Sequence, residues 1–191
     1  MTTLQTTSDA ELLSAAARRD SASFAELVSR YYKPVYRVVW RMMNGNAETE
    51  DVAQEAFVKL WANPAQIREA KALKGWLMRV ASNLAVDRLR RKQHADIEAV
   101  GEIADPRQRT DASLDGKVAS RRVDQAIARL PERQRLAVTL VYFEGMTNIV
   151  AAQVMEISVD AVESLLARGR RTLKEALADD WRGLLEELGY R

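Results

Sequence analysis

The sequence has no cysteine and a single histidine, His94, among 191 residues. No disulfide framework or thiolate zinc site is therefore possible, and one imidazole cannot build a metal cage or run much acid–base chemistry near neutrality. Glycine and proline are scarce, at 8 and 4 residues. No glycine-rich phosphate loop occurs, no nucleophile stands in a recognisable motif beside a base, and no segment alternates apolar and polar residues as a half-buried strand does. No run approaches 18 consecutive apolar residues, and the opening MTTLQTTSDAELL lacks a charged segment followed by an apolar one. The expectation from these absences is a soluble, intracellular protein without metal, cofactor or catalytic residue, and not an enzyme.

What is present is helical periodicity and an uneven distribution of charge. Hydrophobic residues make up 47% and charged residues 29%, too apolar for disorder, and the net charge is only +2. Residues 1–92 carry 15 Lys/Arg against 10 Asp/Glu, residues 93–117 carry 3 against 6, and residues 118–191 carry 11 against 11. The acidic strip 93–117 has two glycines, one proline and no sustained period. It reads as a flexible linker joining two small domains, 1–92 and 118–191.

Both flanking regions read as all-α. Apolar residues recur at three- and four-residue spacing over 9–18, 24–43, 48–61, 73–91, 118–130, 132–143, 147–155 and 159–177. Asn44-Gly45-Asn46 stops one helix, and acidic residues open the next, where the positive pole of the helix favours them. Pro34 predicts a kink inside the second helix. Pro131 suits a first helical turn and Gly145 a helix end. In the C-terminal part, Thr147 can cap a short helix and Ser158 a longer one after a tight connection, the layout of a helix-turn-helix.

Three outward faces emerge from the periodicity. On the last long helix, Val159, Val162, Leu166, Leu173 and Leu177 face a core, while Ala161, Ser164, Arg168 and Arg171 fall opposite. That second face suits either close approach to DNA or the solvated side of an ordinary bundle helix. On the helix 73–91, a core stripe of Leu73, Trp76, Leu77, Val80 and Leu84 predicts an outward face of Arg79, Asn83, Val86 and Arg90, with Arg88, Arg91 and Lys92 adding positive potential. Trp40, Trp61 and Trp76 suit stacking on unpaired bases, although helical spacing more often signals a core role. On the helix 48–61, Val52, Ala53, Ala56, Phe57 and Leu60 point inward. Asp51, Gln54, Glu55 and Val58 remain outside as a mixed stripe that fits a protein partner or plain solvent.

Longer stretches are more specific. Asp51-Val52-Ala53-Gln54-Glu55-Ala56-Phe57-Val58-Lys59-Leu60-Trp61, then Gly75-Trp76-Leu77, then Ala81-Ser82-Asn83-Leu84-Ala85-Val86-Asp87-Arg88-Leu89-Arg90-Arg91, closely resemble the second conserved region of bacterial sigma factors. Leu130-Pro131-Glu132-Arg133-Gln134-Arg135, followed by Glu144-Gly145-Met146-Thr147 and the helix-turn-helix, is similar to the fourth region. With only these two regions, the chain resembles the compact extracytoplasmic-function group over residues 8–178.

The resemblance implies an alternative sigma factor with a region 2 bundle and a region 4 helix-turn-helix. Such a protein binds RNA polymerase core, directs it to promoter DNA and assists melting, acting in the cytoplasm at the nucleoid without inserting into a membrane. Asp51, Gln54, Glu55 and Val58 correspond to the surface for the clamp helices of the largest polymerase subunit. Arg79, Asn83, Val86 and Arg90, with the loop 63–72, correspond to the reader of the proximal element and the upstream edge of the bubble. Ser164, Arg168 and Arg171 correspond to the reader of the distal element. An anti-sigma factor is the further partner the family implies. Glu163 and Leu165 stand where the family usually has a basic residue and then Arg, and Val150 stands where an acidic residue is often found. Either the distal element differs or this domain binds DNA weakly. The competing class is a stand-alone helix-turn-helix regulator, which binds an operator without polymerase.

Overall fold

The computed structural model describes residues 6–98 and 122–187, with side chains over 6–92 and 122–178. The described residues contain helices and no strand, and the chain divides into two compact units. None of the described helices is long and apolar enough to cross a membrane.

The first unit is built on four helices. Helix α1 (Asp9–Ala17) opens with a capping box: Ser8 Oγ accepts from the Glu11 amide while the Glu11 carboxylate accepts from the Ser8 amide at 2.9 Å. Two otherwise orphaned donors are thereby satisfied. Helix α2 (Ser21–Met43) is capped by Asp20, whose carboxylate accepts from the Ser23 amide and hydroxyl. These bonds hold the Asp20 carboxyl below its usual range. The helix continues across Pro34 and ends where Asn44 and Gly45 take left-handed backbone, at φ of 53° and 67°. Helix α3 (Thr49–Ala62) begins with Glu50 and Asp51 in its first turn. After two 3-10 turns, Pro64–Gln66 and Ala70–Ala72, helix α4 (Leu73–Glu98) runs past Lys92, the expected end of the first domain. Residues 99–117 of the expected linker lie outside the described residues.

Helix α2 is the centre of this bundle and packs against α1, α3 and α4. Leu27, Val38, Met42, Leu60, Leu77 and Met78 are fully buried between them. The inward set expected for α3 is buried throughout, but the stripe expected for α4 is rotated. Leu73 and Leu77 are buried as expected, and Met78, Ala81, Ser82 and Ala85 join them. Trp76, Val80 and Leu84 are only half-buried. Small side chains fill the packed arc, and Ser82 is accommodated there because its hydroxyl donates to the Met78 carbonyl at 2.8 Å.

The second unit is described from residue 122; residues 118–121 of its expected first helix lie outside the described residues. Helix α5 (122–128) is followed by Leu130 and Pro131, and then by α6 (Glu132–Val138). Arg135 reaches back to donate to the carbonyls of Ala128 and Leu130, so the end of α5 is satisfied by a side chain of α6. Burial pushes that guanidinium below its ordinary pKa. Helix α6 passes into a π-helical turn, Thr139–Phe143, rather than remaining α-helical to 143. Gly145 then turns at φ +65°, and the Met146 amide donates to the Leu140 carbonyl.

Helices α7 (Asn148–Met155) and α8 (Val159–Glu187) form the expected helix-turn-helix. Thr147 caps α7 through the Val150 amide, and Ser158 caps α8 through the Ala161 amide at 3.2 Å. Glu156 makes the turn between them with left-handed backbone, φ 54°. Val162 and Leu166 are buried, whereas Val159, Leu173 and Leu177 are half-buried. Gly169 lets α8 approach α6, since a Cβ there would lie 3.0 Å from Val138 Cγ2.

Candidate interaction surfaces

The outward side of α3 carries the stripe expected from its periodicity. Asp51 and Gln54 are exposed, and Val58 is 64% exposed, a large share for an aliphatic side chain on an otherwise well-packed helix. Glu55 differs from them. Its carboxylate lies 3.7 Å from Lys59 and 3.7 Å from Arg88 of α4, so it is shared between the outer stripe and an internal ion pair. Under the stripe, Tyr32 of α2 sits 6.0 Å from the Phe57 ring. Burial and the nearby Glu50 carboxylate raise the Tyr32 phenol above its ordinary pKa.

On α4 the buried residues span one side, and Arg79, Asn83, Val86 and Arg90 lie opposite at 100° per residue. Asn83 and Arg90 are exposed, Arg79 and Val86 half-buried. Trp76, three residues before Arg79 and seven before Asn83, belongs to the same side and is half-buried. Its size points to the core, but its spacing to Asn83 places it on the outward face. Trp61, by contrast, is engaged within the bundle: its ring packs 4.7 Å from Phe24 and lies under the Arg19 guanidinium at 5.4 Å. Trp40 is half-buried.

The loop 63–72 that precedes α4 buries Pro64 and exposes Gln66, Arg68, Glu69 and Lys71. Lys71 pairs with Glu69 at 2.9 Å, and that carboxylate raises the Lys71 pKa. The first unit therefore presents two chemically different surfaces. One is carboxylate, amide and aliphatic; the other is cationic, amide and aromatic.

On α8, Ser164, Arg168 and Arg171 are exposed on the side opposite Val162, Leu166 and Gly169. Two guanidiniums one turn apart, with the small Ser164 one turn before them on the same side, suit phosphate oxygens or guanine edges. Arg170 lies toward the flank, where it donates to the Tyr142 hydroxyl at 3.2 Å. Glu163 is exposed, and its carboxylate accepts from Asn148 Nδ2 at 3.3 Å, in the first turn of α7. Leu165 is half-buried.

Comparison with known proteins accords with this geometry. Residues 27–95 match sigma-70 region 2, and residues 120–173 match sigma-70, region 4. The chain is 30% identical over 172 residues to the ECF RNA polymerase sigma factor SigW of Bacillus subtilis, covering 84% of this chain and 91% of that protein. It is 32% identical over 184 residues to the RNA polymerase sigma-H factor of Pseudomonas aeruginosa, covering 88% and 93% of the two chains. Among solved structures, CnrH in complex with the cytosolic domain of CnrY superposes with a TM-score of 0.68 at 24% identity, covering 90% of this chain and 98% of that one. The sigma factor RpoE in complex with the anti-sigma factor NepR from Bartonella quintana gives 0.72 at 21% identity, covering 81% and 96%. Two regions matched in order, and relatives matched over nine-tenths of their length, leave one family: the chain belongs to the ECF sigma factors of RNA polymerase.

Proposed function

We propose that this ECF sigma factor divides its work among the three faces just described. Residues 1–92 form the domain that binds polymerase core and the proximal element, 93–117 the linker, and 118–191 the domain for the distal element. Asp51, Gln54, Glu55 and Val58 meet the clamp helices of the largest polymerase subunit. Arg79, Asn83, Val86 and Arg90, with Trp76 and the loop 63–72, hold the upstream edge of the bubble. Ser164, Arg168 and Arg171 contact duplex DNA at the distal element. The protein itself breaks no covalent bond, and strand opening draws on base stacking and pocket contacts to offset a few kcal/mol of unpairing. It acts in the cytoplasm, at the nucleoid when bound to polymerase.

The observation that carries this reading is the contrast between neighbouring helices of one bundle. Helix α3 exposes carboxylate, amide and a 64%-exposed valine, which repel or ignore phosphate, while α4 exposes Asn83 and Arg90 on the side that also carries Trp76. A gel shift on promoter duplex, with and without polymerase core, is the direct test. A specific complex that requires core is the expected result; a core-independent operator complex would make the protein a stand-alone regulator.

An anti-sigma factor fits the same stripe. Its amphipathic helix would cover Val58 and compete with polymerase, so that release of the partner is the switch. Titrating core into the inhibited complex should displace the partner, and a stable ternary complex engaging the stripe twice would overturn this mechanism.

A further inference from the structure

The end of α1 takes an unusual form. Arg19 stands at φ 68°, its amide donates to the Ala16 carbonyl at 2.9 Å, and the Asp20 amide donates to the Ala15 carbonyl at 3.2 Å. With Arg18 as the C-cap, this is a Schellman closure. Glycine is the favoured residue at that left-handed position, because a Cβ there is sterically penalised. An arginine in its place points to use of the side chain. Its Nη1 donates to the Trp61 carbonyl at 2.9 Å, and its guanidinium lies 5.4 Å from the Trp61 ring centroid.

Trp61 is in the last turn of α3, where carbonyls have no partner within the helix. Two residues later the chain enters the loop 63–72. Pro64 of that loop is buried, and α1 packs against both of its 3-10 turns. Leu12, Leu13 and Ala16 of α1 are buried as well. Helix α1 and Arg19 precede residues 27–95, the span matched to region 2.

We propose that Arg19 is a positioning residue: it fixes the C-terminal turn of α3 and thereby the take-off of the loop 63–72, so that α1 acts as the backing of the surface that captures an unpaired base. This inference rests on the assignment of that loop to the bubble edge. The guanidinium does not touch DNA in this scheme. It holds the loop's first anchor, while buried Pro64 and the packing of α1 hold the rest. A loop fixed before binding captures a base without the cost of ordering it during melting.

The test uses holoenzyme reconstituted with Arg19→Gly, Arg19→Lys, and a separate loop variant, Gln66→Ala/Arg68→Ala. Each is assayed on fork-junction DNA in which the unpaired base at successive positions of the upstream edge is present or replaced by an abasic site. Glycine relaxes the backbone at position 19 and removes both side-chain contacts, so Arg19→Gly should keep its melting temperature and core affinity. It should nevertheless lose about tenfold in preference for the base over the abasic site, in the range of one hydrogen bond to a charged group. Arg19→Lys should fall between, since an ammonium can donate to the carbonyl but cannot lie flat on the indole. If the loop variant loses base preference while both Arg19 variants keep it, the positioning role is wrong and the loop assignment stands. If the loop variant keeps full preference, the loop assignment fails and this proposal with it.

Discussion

Arg88 of α4 lies 2.5 Å from Glu48, just before α3, and 3.7 Å from Glu55 in the middle of that helix. One guanidinium thus joins the helix assigned to polymerase to the helix assigned to DNA. The pair is partly open to water, with side-chain exposures of 36% and 39%, so its worth is a fraction of a kcal/mol rather than a structural necessity. Its consequence is that the four residues of the α3 stripe are not equivalent.

Asp51 and Gln54 are the clean probes of polymerase binding. Changing both to Lys should abolish binding to core while costing no more than about 1 kcal/mol of stability, the scale of replacing a favourable acid by a cation in the first turn of α3. Adding Glu55→Lys places a third ammonium beside Arg88 and Lys59 and should cost about 0.5 kcal/mol more. Core affinity by fluorescence anisotropy and thermal melting separate the two effects. Retention of wild-type core affinity by the double variant would remove the stripe from the interface.

The α4 face is tested by order of events. Replacing Arg79, Asn83 and Arg90 with Ala should impair open-complex formation, read by permanganate reactivity of unpaired thymines, more than initial recruitment. Trp76→Ala should have a comparable effect through lost stacking, about 1–3 kcal/mol per base, and Trp76→Phe should recover much of it. Equal loss at both stages would mean that the face only supplies charge.

Most of the architecture is legible in the sequence because the chain is built from amphipathic helices with clear stops. Asn44-Gly45, Thr147 and Ser158 occupy the structural positions their chemistry predicts. The inward residues of α3 are also right, since Val52, Phe57 and Leu60 are both large and correctly spaced. On α4 the same logic fails: size draws Trp76, Val80 and Leu84 into the expected core, but Ala81, Ser82 and Ala85 occupy the packed arc. Burial depends on which face neighbours can approach, and small residues give little hydrophobic signal. The π-helical turn at Thr139–Phe143 has no local marker at all, because α- and π-helical bonds use the same residue types. Glu55 and Arg19 show a third limit. Their partners, Arg88 and the Trp61 carbonyl, are distant in sequence, and no periodicity connects them.

Gly169 gives a prediction about the second unit alone. Valine there would drive a branched side chain into Val138, whose Cγ2 already stands 3.0 Å from an ideal Cβ position. Overpacking of this kind costs about 1–3 kcal/mol. Hydrogen exchange on full-length Gly169→Val should show faster opening of α6 and α8, with α2 and α3 unchanged. Uniform loss of protection in both units would mean that they do not respond independently.

Tyr31 supplies a pH dependence. Its hydroxyl donates to the Asp9 carboxylate, and burial together with that carboxylate pushes the phenol up to about 12 from an ordinary 10.0. A pKa raised in the fold means that the neutral form is favoured there. The contribution is complete below pH 10 and disappears as pH rises toward 12. Lysines and other tyrosines titrate in the same window, so the informative quantity is the difference from Tyr31→Phe. Wild type should lose melting temperature more steeply than Tyr31→Phe between pH 10 and 12. Parallel curves would show that the Tyr31–Asp9 bond does not hold α1 to α2 in solution.

Glu163 bears on how the second unit reads DNA. It is exposed next to Ser164, and Asn148 Nδ2 donates to its carboxylate at 3.3 Å. That bond tethers the negative charge toward α7, between the start of one helix of the motif and the outward face of the other. Near a phosphate the carboxylate is repulsive, and Asn148 offsets only part of that because an amide carries no net charge. If α8 lies in the groove by Ser164, Arg168 and Arg171, Glu163→Gln should tighten holoenzyme binding to a promoter containing the distal element. It should leave the salt dependence nearly unchanged, because a neutral amide adds no phosphate neutralisation. Glu163→Lys should tighten it further and steepen the slope of log affinity against log salt by about 0.9, the signature of one added phosphate contact. Arg168→Ala should make the slope shallower by a similar amount. Salt titrations of all three on one promoter decide the matter: unchanged affinity and slope in both Glu163 variants, with a normal loss in Arg168→Ala, would place position 163 outside the DNA interface. The carboxylate would then serve only to join α7 to α8.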